Sequence, residues 1–144
     1  MLKGSLPNVF LDTDVAFDII SKRAPNFADA VKLLDLAAKD QLSLQIAESS
    51  LANLIYLSYD IYKLPEASSK LLNFMGACNI VNAGKPALME ALASQFKDKE
   101  DTLQYYTALH SGADYFITRN IKDYRLSSPS LPVFHPRDFL DQIN

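Results

Sequence analysis

Short apolar runs alternate along this chain with longer stretches in which apolar residues recur every three or four positions. The runs read as five strands: Asn8 to Leu11, Leu42 to Ile46, Asn79 to Val81, Tyr115 to Thr118 and Pro132 to Phe134. The helical spacing predicts helices over Asp14 to Ser21, Asn26 to Lys39, Glu48 to Tyr62, Pro65 to Met75, Pro86 to Phe96 and Asp98 to His110. Pro65 suits a first helical turn, and Gly76 and Gly112 suit helix ends. In the third helix Leu51, Leu54, Ile55 and Tyr59 are expected to face inwards, and Tyr56, Tyr59 and Tyr62 to form core or a dimer face. Strands that alternate with helices imply right-handed crossovers and a parallel sheet covered on both faces. The expected architecture is therefore α/β, one domain with about five parallel strands.

The polar positions that interrupt this pattern carry the candidate chemistry. Val9-Phe10-Leu11 runs straight into Asp12-Thr13-Asp14, and Tyr115-Phe116-Ile117 runs into Thr118-Arg119-Asn120 and on to Asp123. Ligands in α/β folds bind outside the carboxyl ends of the strands, so acids far apart in sequence are expected to meet at one sheet edge. Clustered carboxylates repel unless a cation lies among them, and hard oxygen donors suit Mg²⁺ or Mn²⁺. Asp12 reads either as a metal ligand or as a helix N-cap, a role for which Asp14 is better placed. Asp98 suits the cap of its helix, which leaves Asp101, three residues on, as the candidate ligand, with Glu100 in solvent. Thr118 could bond a carboxylate, while Arg119, Lys122 and Arg125 read as a solvated loop or as contacts for phosphate.

Composition narrows the classes further. The 144 residues, 49% hydrophobic and 22% charged, suffice for one proper core. A net charge of −3 argues against a general nucleic-acid coat protein, which would be basic. Cys78 stands alone, and with only His110 and His135 beside it a Cys/His zinc site is not expected. No apolar stretch approaches the roughly 20 residues that span a bilayer, and no secretory signal is visible, so a cytoplasmic protein is expected.

Taken in order, VFLDTDV, SSLANLIYLSY, DKEDTLQYYTALHSGADYFITRNIKDY and PVFHPRDFL resemble the PIN domain family over about residues 9–140. The resemblance implies a parallel-sheet α/β sandwich and hydrolysis of RNA phosphodiester bonds with Mg²⁺ or Mn²⁺. It implies metal-holding catalytic acids at Asp12, Asp101 and Asp123, supported by Asp14, Asp98, Thr118 and Asn120, with Arg119 or Lys122 on the substrate backbone. The family's second acid, usually a Glu, falls on Asn53, which should weaken metal binding. The family also includes toxins of toxin–antitoxin pairs, which implies RNA, a small antitoxin and a second copy of the chain as partners. The alternative is a PIN-like RNA-binding or interaction module with weak or no catalysis.

Overall fold

A computed structural model describes residues 6–124 and 129–143, so Arg125 lies outside the described residues. Five strands form one all-parallel sheet in the order β3-β2-β1-β4-β5: β1 (Asn8–Leu11), β2 (Ser43–Ala47), β3 (Asn79–Val81), β4 (Tyr115–Ile117) and β5 (Val133–Phe134). The chain steps outwards from β1 to β3, then returns to the other side of β1 with β4. That reversal places a switch point between β1 and β4, where open α/β sheets leave a crevice.

Side chains alternate across the strands. Val9 and Leu11 pack into one core with Leu44, Ile46 and Ile117, under α1 (Thr13–Ser21), α2 (Phe27–Ala38), α3 (Glu48–Tyr56), α4 (Ala67–Ala77) and α7 (Pro136–Ile143). Phe10 points to the opposite face, where Phe116, Phe96, Tyr105, Tyr124 and Leu131 form an aromatic-rich core beneath α6 (Lys99–His110). The remaining helix, α5 (Gly84–Ala93), packs beside α6. Both sheet faces are thus covered, as the near-continuous apolar strands require.

The third predicted helix turns Leu51 and Leu54 to the core as expected but not Ile55 and Tyr59. Its chain continues beyond α3 as a π-helical turn, Leu57–Ile61. Ser50, Leu54 and Ser58, spaced by four, are the buried positions. Ile55 and Tyr59 come one residue later, about 100° around the helix, and stand 49% and 45% exposed rather than inside. Tyr56 and Tyr62 are exposed as well. The next helix begins at Ala67, after Pro65, and runs through Gly76 to Ala77. Gly112 has φ +76° and donates its N–H to the Leu109 carbonyl, which ends α6 as expected. Among the described residues no helix is long and apolar enough to cross a membrane.

Candidate active site

The pairing of β1 with β4 extends one residue past both strands, because Asp12 N–H donates to the Ile117 carbonyl at 2.9 Å. This fixes Asp12 at the mouth of the switch-point crevice, where it is 2% exposed. Asp12 occupies the N-cap position of α1, yet its side chain makes no cap hydrogen bond. Asp14 does not take the cap either; it lies inside the first turn. The side-chain oxygen of Gln104, from α6, accepts the Thr13 N–H at 2.9 Å instead. The Thr13 hydroxyl bonds Ser50 at 2.8 Å and Gln104 at 2.9 Å, closing a buried polar network beneath the acids. A helix N-terminus needs partners for its free N–H groups; Gln104 helps supply them, and the Asp12 carboxylate stays available to the crevice.

The carboxylate is held by Thr118, at the end of β4, whose hydroxyl donates to Asp12 Oδ2 at 2.6 Å. The same hydroxyl accepts the Asn120 N–H at 3.0 Å, and Asn120 Nδ2 donates to Asp14 Oδ2 at 3.4 Å. Asp98 caps α6 by accepting the Asp101 N–H at 3.0 Å, so Asp98 takes the capping role and Asp101 faces the cleft. Tyr124, buried below, donates its hydroxyl to the Asp101 carbonyl at 3.3 Å. Asp12, Asp14, Asn53, Asp98, Glu100 and Asp101 all line one cleft of about 320 Å³. Glu100, expected in solvent, is exposed but belongs to this wall. Glu48, the other acid near β2, lines a neighbouring cavity, whereas Asn53, with Ser49 and Ser50 of the same helix, lines the acidic cleft.

Asp123, Arg119 and Lys122 of the expected site lie outside the cleft wall. Asp123 lies exposed on a 3₁₀ turn, Ile121–Tyr124, close enough for its charge to act on Asp101 but outside the cleft wall. Arg119 turns away: its Nε donates to Asp18 Oδ2 at 2.8 Å, on the buried side of α1. Its guanidinium is thereby engaged with the buried Asp18 rather than with the acids of the cleft. Lys122 is exposed on the 3₁₀ turn beside Asp123. Gln104, Thr13 and Ser50 were not expected; Gln104 is three residues after Asp101 and so shares its helix face, the one signal that could have drawn attention to it.

Burial pushes Asp12 up to about 6, against the Thr118 hydrogen bond and with help from the Asp14 charge. Burial, then repulsion from Asp12, Asp98, Asp123 and Asp14, pushes Asp101 up to about 7. The folded protein therefore holds protons that the unfolded chain has released above the ordinary carboxylate range. Stability falls with pH wherever the native state binds more protons. Without metal, the contribution of these two groups is expected to be fully favourable below about pH 4 and to decline between about pH 4 and pH 7. Melting temperatures measured in chelator across that range should show the decline, and millimolar Mn²⁺ should flatten it.

The Arg119–Asp18 pair carries a second prediction. Asp18 is 1% exposed, its carboxyl is raised by burial, and Arg119 and Arg23 oppose that rise. Arg119→Ala strands the buried acid with Arg23 alone, at 3.8 Å. Removing one partner of a buried pair costs about 3 kcal/mol or more, so urea unfolding should show a loss of that size at pH 8. The loss should be smaller at pH 4, where Asp18 can take up a proton.

A parallel α/β sheet with a carboxylate cleft beyond the carboxyl ends of its strands defines a class of protein suited to cation-assisted chemistry on phosphate groups. The chain belongs to the PIN domain family, whose model matches residues 8–122. It is 26% identical over 141 residues to Ribonuclease VapC1 of Aquifex aeolicus (strain VF5), covering 94% of this chain and 95% of that protein. Its fold is similar to VapBC2 from Rickettsia felis bound to a promoter DNA fragment, with a TM-score of 0.64, 21% identity, and 89% and 98% of the two chains covered. It is also similar to a toxin–antitoxin complex from Klebsiella pneumoniae, with a TM-score of 0.67, 18% identity, and 89% and 97% covered.

Proposed function

We propose that this chain is a single PIN domain that hydrolyses RNA phosphodiester bonds with a divalent metal, Mg²⁺ or Mn²⁺, and serves as the toxin of a toxin–antitoxin pair. The observation that carries the reading is the buried Asp12, released from helix capping and sharing one cleft with Asp101, with both carboxyl groups raised first by burial and then by neighbouring carboxylates, Asp14 for Asp12 and Asp12 for Asp101. Such a pair is stabilised by a cation. The similarity to Ribonuclease VapC1 over nearly all of both chains supports the substrate class.

The donor set fits a hard ion, since it offers oxygen atoms only. Among the described residues no three acids, histidines or cysteines already gather into a coordination shell. Mg²⁺ keeps several waters and takes one or two carboxylates, and a cleft of about 320 Å³ has room for both. Asp12 and Asp101 would hold the ion, with Asp123 contributing from the 3₁₀ turn. A bound ion supplies a Lewis acid and a source of hydroxide at neutral pH. Thr118 keeps the Asp12 carboxylate oriented by its hydrogen bond, and Asn120 does the same for Asp14. Gln104, Thr13 and Ser50 hold the start of α1 against α6, which sets the spacing of Asp12 and Asp101. Lys122 remains the candidate for the RNA backbone.

A second reading has one observation in its favour. Asn53 offers the cleft an amide where the family's usual Glu would offer charge, which lowers the attraction for metal. A binding module that engages RNA without cutting it is the outcome this would produce. Incubation of the purified protein with mixed-sequence RNA, in Mn²⁺ and in chelator, separates the two: cleavage in Mn²⁺ alone supports the nuclease, and metal-independent binding without cleavage supports the module. We further propose a homodimer and a small antitoxin partner; gel filtration at the monomer mass would remove the first.

A further inference from the structure

A second cavity, of about 360 Å³, opens beyond the ends of β2 and β3 and shares Ser49 and Leu103 with the wall of the acidic cleft. Resting on the nuclease reading, we propose that this cavity receives a base of the RNA strand whose backbone crosses the acids, and that it prefers guanine. Its size falls in the range of small-ligand sites. Val81, Leu88 and Leu103 give it apolar walls, and Leu88 is 47% exposed. Flat bases are held between apolar side chains and read along their edges.

The edge-reading group is Glu48. Asn82 donates its amide N–H to Glu48 Oε1 at 2.9 Å, and its amide oxygen accepts the Gly84 N–H at 2.9 Å. Both ends of the Asn82 amide are thereby fixed, and the Glu48 carboxylate is anchored at the cavity. An ionised carboxylate only accepts hydrogen bonds, several at once. Guanine is the one common base with two adjacent donors, an imino and an amino group, on a single edge. Adenine and cytosine bring one amino group each, and uracil one imino group. A Glu48 that merely complemented the α3 dipole would show no preference among bases.

The test has two arms on the full chain. In chelator, where no RNA can be cut, the 5′-monophosphates of guanosine, adenosine, cytidine and uridine are titrated and followed by protein NMR. Guanosine monophosphate should bind about tenfold more tightly than uridine monophosphate, the size expected of one paired-donor contact, and shift the Asn82 side-chain amide. E48Q keeps the shape but both accepts and donates, so it matches an acceptor–donor pair that every base carries and the preference for guanosine monophosphate should be lost. L88W fills the cavity from its exposed side and should abolish the preference while leaving the melting temperature near that of the parent. Equal binding of all four nucleotides, or a guanine preference unchanged in E48Q, overturns the proposal. In the second arm, cut sites on mixed-sequence RNA in Mn²⁺ should lie beside guanine. Cutting without that bias overturns the subsite and leaves the nuclease standing; a guanine preference in the first arm with no cutting in the second supports the subsite and removes the nuclease.

Discussion

Asp12→Asn is expected to lower Mn²⁺-dependent RNA cleavage about a thousandfold, because several kcal/mol of charge stabilisation depend on an ion held at that carboxylate. The same substitution should raise the melting temperature in chelator at pH 8. At that pH the parent must keep Asp12, shifted up to about 6, ionised in a buried place beside Asp14 and Asp101. The amide can still accept the Thr118 hydroxyl that Asp12 now accepts at 2.6 Å. Lost activity with gained stability is the combination expected of a functional acid. A structural N-cap would show the reverse, since removing a cap costs stability. Melting curves and a cleavage time course on the two proteins check both halves.

Phe116→Ala should destabilise the fold by about 3–5 kcal/mol, the range for deleting a large aromatic side chain from a core. Phe116 is fully buried on β4 and stacks on Phe10 with ring centres 5.4 Å apart. Tyr105 lies 5.4 Å away and Tyr124 4.9 Å away. Tyr105 also bonds the Leu131 carbonyl at 2.9 Å, which ties the chain before β5 to α6. The cavity left by Phe116 would therefore loosen Tyr124, which supports Asp101 from below. Calorimetric unfolding should show the loss, and any residual activity should fall more than the folded fraction does.

The strands, and the meeting of Asp12 and Asp101 at one cleft, were legible because their signals are local. An apolar run that ends in an acid marks a strand and its carboxyl end, which is how Asp12 was singled out, whereas Asp101 was singled out by its place three residues after a helix cap. The Asp98 cap was legible for the same reason: it bonds a residue three positions away. Contacts across the fold were not legible. Arg119 and Asp18 are 101 residues apart, and nothing in a basic loop says that one cation will turn back to a buried acid. Thr13 and Gln104 are 91 residues apart and meet only because α6 crosses the start of α1. In the third helix Leu51 and Leu54 face the core as expected, but Ser50 and Ser58 are small enough to pack inwards despite their hydroxyls while bulkier Ile55 and Tyr59 remain outside. The last helix, Pro136–Ile143, was not anticipated; its eight residues are fewer than the window over which helical periodicity is read.

Thermal unfolding against Mn²⁺, on the parent and on Asp12→Asn and Asp101→Asn, tests the central claim most directly, because it requires no knowledge of the target RNA. Metal that binds only the folded state raises its stability by mass action. The account predicts a rise in the parent's melting temperature that saturates with Mn²⁺ and is abolished by either substitution. A parent indifferent to millimolar Mn²⁺, or a rise that persists in both variants, would contradict it.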